Sequence, residues 1–127
     1  MKGSIVAIVT PMLENGEVDF DSLKKLLSFH EENNTDGIVL VGTTGESATL
    51  SANEREEIFK FAVSETEIPL MAGVGSSSTK EACRLVEIAA KSGITECLAV
   101  TPYYNKPSQT GLELHFTELA NTQSMIT

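Results

Sequence analysis

The sequence predicts an α/β fold built from four successive βα units, and three observations carry that reading. Four short, branched, nearly all-apolar runs (residues 4–10, 37–41, 70–74 and 97–100) have the character of strands buried on both faces. Their starts recur roughly every thirty residues, and the segments between them have helical rather than alternating periodicity. No Pro/Ser linker, low-complexity repeat or charge block divides the 127 residues, so residues 1–127 read as one domain with no second domain. Four βα units suit either half of a (β/α)8 barrel or a small doubly wound sheet, and periodicity alone does not choose between them. A complete barrel takes ~250 residues, so half is the most this chain can build.

Each helix has its own signals. The first begins after Asp19 as N-cap, carries Phe20, Leu23, Leu26 and Leu27 on one stripe, and ends in the polar segment 31–34. The second follows Ser51 and the third follows Ser78. Each serine has a glutamate three residues on (Glu54, Glu81), the spacing at which hydroxyl and carboxylate satisfy each other's backbone N–H groups. Ala82, Leu85, Val86 and Ala89 form the inner face of the third helix, and Gly93 stops it. A fourth helix is predicted from about Ser108 to Asn121, with Leu112, Phe116 and Leu119 on one side.

Composition excludes several functions. Nine Lys and Arg against 18 Asp and Glu leave a net charge of −9 spread along the chain, which argues against a nucleic-acid or anionic-membrane partner. No apolar run approaches the ~20 residues of a membrane span. Cys83 and Cys97 lie in apolar patterns without Cys-x-x-Cys spacing, and no cleavable leader follows Ile5–Val9, which together point to a reduced, cytoplasmic, soluble protein. His30 and His115 have no Cys, Asp or Glu at ligand spacing, so they read as structural or solvated histidines and no metal site follows.

In either architecture, ligands bind at the carboxyl ends of the strands. The loop after the first strand is Thr10-Pro-Met12. After the second strand, Gly42-Thr-Thr-Gly-Glu-Ser47 offers two hydroxyls and backbone donors between glycines, chemistry that can hold a small carboxylate or serve as a plain turn. After the third strand, Gly73-Val-Gly-Ser-Ser-Ser-Thr79 lacks the third glycine of a dinucleotide fingerprint and reads as a tight turn and helix cap. After the fourth strand, Thr101-Pro-Tyr-Tyr-Asn-Lys-Pro107 holds the chain's two tyrosines, one able to face a site while the other packs on a partner.

Three stretches, Gly3–Met12, Val41–Leu50 and Val100–Ser108, resemble the dihydrodipicolinate synthase (4-hydroxy-tetrahydrodipicolinate synthase) family of pyruvate-dependent class I aldolases and lyases. The Thr43-Thr44 pair and the Tyr103-Tyr-Asn-Lys-Pro107 loop favour it over the related N-acetylneuraminate lyase. The resemblance implies the first four βα units of a (β/α)8 barrel, a homo-oligomer, no cofactor, and condensation of pyruvate with L-aspartate 4-semialdehyde through a lysine Schiff base on the route to diaminopimelate and lysine. It assigns Thr43 to a catalytic proton relay and to pyruvate binding, Thr44 to the pyruvate carboxylate, and Tyr104 to the relay across a subunit interface at which Tyr103 stacks. Ser47, Ala48, Glu81 and Tyr103 match a lysine effector site, while Ala52 and Arg55 stand where feedback-sensitive relatives can carry histidine.

The same resemblance implies that the Schiff-base lysine, a third relay tyrosine and a substrate-binding arginine lie beyond these four units, and the family pattern breaks off after His115-Phe116. Of the seven lysines only Lys106 falls on the catalytic side, in a polar turn that keeps its ammonium solvated. The isolated chain is therefore expected to be catalytically dead and, with two open strand edges, to self-associate. The non-enzymatic alternative is a half barrel that binds a carboxylate or pairs with a full-length subunit.

Overall fold

The computed structural model describes residues 1–123. Four parallel strands, β1 (Ile5–Ala7), β2 (Gly37–Leu40), β3 (Leu70–Gly73) and β4 (Glu96–Leu98), lie side by side in chain order. Four helices, α1 (Phe20–Glu32), α2 (Ala52–Glu65), α3 (Thr79–Lys91) and α4 (Gln109–Gln123), follow them one by one. The order 1-2-3-4 contains no reversal, so the sheet lacks the switch point of a doubly wound fold and progresses like the wall of a barrel.

Register sorts the strand residues onto two faces. Val6 lies beside Ile38 and Leu70, and the row Leu40, Ala72 and Cys97 continues that side. This face packs beneath the helices in a core that includes Leu23, Leu27, Ile58, Phe59, Leu85, Val86 and Leu119. Burial in that core pushes the Cys97 thiol up to about 12, so it behaves as a small apolar side chain rather than a nucleophile. The opposite face is partly open, with Ile5, Val9, Leu98 and Val100 all exposed.

Local chemistry accounts for the helix starts. The Asp19 side chain accepts from the Ser22 N–H, and Ser51 with Glu54 forms the full reciprocal capping box. The pair at α3 forms only half of the expected box. Ser78 accepts from the Glu81 N–H, but its own N–H donates to Ser76 Oγ, and the Glu81 carboxylate turns to Arg84 at 3.6 Å. Gly93, at φ 96°, closes α3 in the left-handed region.

Strand boundaries also shift. β1 is shorter than the apolar run 4–10, because the chain leaves the ladder before Thr10 to fold a small loop bridged at Met12 and Val18. β4 starts one residue before Cys97 and ends at Leu98. Within the expected terminal segment 121–127, residues 124–127 lie outside the described residues.

Candidate functional site

The strand-end loops meet around a cleft of about 270 Å³ bounded by Thr43 and Ser47 on one side and by Gly73, Gly75, Leu98 and Val100 on the other. Drug-sized ligands occupy about 300–1,000 Å³, so a space of this size suits a small metabolite.

The loop carrying Thr43 leaves β2 through Val41, a fully buried β-branched residue at φ 54°. A branched side chain in the left-handed region costs on the order of 1–3 kcal/mol and persists only where its surroundings fix it. Gly73 helps to fix it: a Cβ there would lie 2.1 Å from the Val41 carbonyl oxygen, so only glycine lets β3 come this close. Thr10, buried in the segment that follows β1, donates its hydroxyl to the Gly45 carbonyl at 2.7 Å. The turn closes on itself through Glu46 N–H to the Thr43 carbonyl at 3.0 Å and Ser47 N–H to the Gly42 carbonyl at 3.2 Å. Thr43 is thereby presented at the cleft, whereas Thr44 is exposed and does not line it.

The third-strand segment runs from Gly73, the last residue of β3, to the α3 cap at Ser78, and the role of Gly73 and Gly75 is spatial rather than conformational. A Cβ at Gly75 would meet Val100 at 2.4 Å.

In the Tyr loop, Asn105 N–H donates to the Tyr103 carbonyl at 3.0 Å across Tyr104, which sits at φ 73°. That is a γ-turn of the rare, strained hand. Tyr104 is 97% exposed and does not line the cleft, so within one protomer it does not join Thr43 there; Tyr103 is half-exposed. Lys106, at φ 45°, is exposed like the six other lysines.

Of the four candidate effector-site residues, Ser47 contacts Arg55 through its carbonyl, Glu81 and Tyr103 lie within range of its charge, and Ala48 lies exposed in a short 3-10 turn over Ser47–Thr49. Arg55 is 9% exposed and donates Nη2 to the Ser47 carbonyl and Nε to the Leu50 carbonyl at 3.4 Å. Its Nη1 has no partner among the described residues. Burial lowers its pKa, opposed by the fields of Tyr103 and Glu81, and a guanidinium stays charged under such a shift. The sequence reading marked Arg55 only as a departure from the family. The available signal was its place at the head of the inward row Arg55, Ile58, Phe59 and Ala62 on α2.

Both histidines are structural. His30 Nδ1 is 2.9 Å from Thr35 Oγ1, and His115 Nδ1 is 2.8 Å from Thr79 Oγ1. His115 is 4% exposed, burial holds its pKa below the usual imidazole range, and its Nε2 is unpartnered among the described residues. Among those residues no cluster of three or more His, Cys, Asp or Glu side chains could hold a metal, and no helix is long and apolar enough to cross a membrane.

Comparison with known proteins converges on one family. The family model described as the dihydrodipicolinate synthetase family matches residues 1–126. The chain is 52% identical over 121 residues to the 4-hydroxy-tetrahydrodipicolinate synthase of Pseudomonas syringae pv. syringae (strain B728a), covering 94% of this chain and 41% of that protein. The crystal structure of dihydrodipicolinate synthase from Aquifex aeolicus superposes with a TM-score of 0.94 at 45% identity, covering 98% of this chain and 43% of that one. The chloride-inhibited, pyruvate-complexed enzyme of Acinetobacter baumannii gives 0.94 at 48% identity, covering 97% and 43%. The chain therefore spans about two-fifths of the length of the relatives it matches. By this match over nearly all of its length, the chain belongs to the dihydrodipicolinate synthetase family.

Proposed function

We propose that this chain forms the first half of a lyase barrel that condenses pyruvate with L-aspartate 4-semialdehyde as 4-hydroxy-tetrahydrodipicolinate synthase. The observation that carries the reading is Thr43, held at the mouth of the cleft by the strained Val41 backbone, the Gly73 contact and the Thr10 hydroxyl. A pyruvate-complexed relative supports the substrate class. In this reading Thr43 passes protons through its hydroxyl to Tyr104 of a neighbouring subunit, Thr44 steadies the pyruvate carboxylate, and Tyr103 stacks at the interface.

Schiff-base chemistry requires a desolvated amine. The amine attacks the keto carbon, water departs, and an imine remains. All seven lysines of this chain are exposed, so the amine comes from the other half of the barrel and these 127 residues alone do not react. The exposed apolar side chains Ile5, Val9, Leu98 and Val100 favour a second reading, a non-catalytic half barrel that pairs with another subunit.

Borohydride trapping followed by intact-mass measurement separates the two. Protein from its native source, treated with pyruvate and borohydride, is expected to carry a reduced pyruvate adduct on a species more than twice as heavy as 13.6 kDa. The isolated chain is expected to stay unmodified. An adduct on the 13.6 kDa species overturns the assignment of the amine to the other half. No adduct in either preparation overturns the lyase and leaves the pairing module.

A further inference from the structure

We propose that Asn105 is a positioning residue whose side-chain amide, bonded to the carbonyl just before the N-cap of α3, holds Tyr104 in its outward, strained turn. The Tyr loop has two non-glycine residues in the left-handed region, Tyr104 at φ 73° and Lys106 at φ 45°, within three positions. Such a conformation lasts only if something outside the loop fixes it. Asn105 is the residue between them, and its Nδ2 donates to the Ser77 carbonyl at 3.1 Å, across 28 residues of sequence. Its backbone N–H closes the turn over Tyr104, so one residue both makes the turn and ties it down.

The anchoring point is itself braced. Ser77 directly precedes Ser78, the N-cap of α3, and Thr79, whose hydroxyl meets the buried His115 of α4. α4 is the helix into which the Tyr loop runs. The loop is therefore held at its middle by Asn105 on Ser77, and at its far end by the docking of α4 on α3. The sequence supplies the donor as well: of the residues from Tyr103 to Lys106, only asparagine offers a short amide able to reach a carbonyl while leaving both neighbouring side chains free to point elsewhere.

The proposal extends the assignment of Tyr104 to the proton relay, but its test needs neither pyruvate nor turnover. The chain has no tryptophan and two tyrosines, both in this loop, so its near-ultraviolet tyrosine circular dichroism reports on the loop alone. Asn105→Ala, which removes the donor, and Asn105→Asp, which replaces it with an acceptor facing a carbonyl, are expected to lose half or more of that signal, with the far-ultraviolet helix spectrum unchanged. Thr79→Val, which loosens the helix pair without touching the loop's own bond, is expected to lower the melting temperature while keeping the tyrosine signal below the transition. A full tyrosine signal in both Asn105 variants, or none in the wild-type chain, overturns the proposal. Failure of the lyase reading in the trapping experiment leaves this result unaffected.

Discussion

The Thr loop and the Tyr loop sit at the same end of the sheet, yet they are held in opposite ways. The Thr loop is drawn into its own protomer: Thr10 grips Gly45 from the segment after β1, Gly73 admits the Val41 carbonyl from β3, and buried Arg55 holds Ser47 and Leu50 from α2. The Tyr loop reaches back to its protomer through buried Pro102 and the Asn105 amide, and its crest stands in water, with Tyr104 almost wholly exposed. Backbone strain in a buried loop is offset by the packing around it. Strain beneath an exposed phenol has no such return inside one protomer, and under the lyase reading the return is made in the neighbouring subunit's site. Under that reading, one loop is fixed within its own protomer and the other is shaped for use in a neighbouring one.

The sharpest way to break that comparison is to deny the Thr loop its close approach. Gly73→Ala places a methyl 2.1 Å from the Val41 carbonyl and 2.9 Å from Gly42 N, both backbone atoms that cannot swing aside. It should destabilise the chain by about 3 kcal/mol or more, read as a lowered urea midpoint. A loss under about 1 kcal/mol would show that β3 can withdraw and that Val41 is not fixed by this contact. Thr10→Val is the milder probe of the same loop. It keeps the shape but removes the donor to the buried Gly45 carbonyl, at a cost of about 1–3 kcal/mol. The tyrosine signal should be untouched in this variant, because no described bond links Thr10 to the Tyr loop.

The sequence made the elements legible because each rests on local chemistry. Asp19, Ser51 and Ser78 cap helices where spacing places them, and the branched runs become strands. Strand order was not legible, since periodicity cannot tell a monotonic sheet from a reversed one; pairing settles it. Thr43 was legible as a hydroxyl at a strand end. The device that presents it was not, because a valine at φ 54° and a glycine needed for space rather than for φ leave no mark in composition. The half-formed box at Ser78 failed for a related reason: Ser76, two residues upstream, competes for the same N–H, and Arg84 draws Glu81 away.

Behind the Tyr loop, the smallest predicted effect concerns the buried contact between His115 and Thr79. Burial depresses the His115 pKa in the folded chain relative to the ordinary imidazole near 6.5 that it regains on unfolding. Below that value the unfolded chain binds a proton that the native imidazole resists, so stability is retained above it and declines as pH falls toward the folded pKa. Carboxylates titrate at lower pH, so comparison with a variant isolates the histidine. His115→Asn should be less stable than wild type at about pH 7, and the gap should narrow toward about pH 5 as the wild-type imidazole is forced to charge against its burial. Urea unfolding of both proteins at several pH values measures the gap. A gap that stays constant would mean that the imidazole finds its proton and a partner for Nε2 without cost, and that the α3–α4 brace behind the Tyr loop does not sense pH.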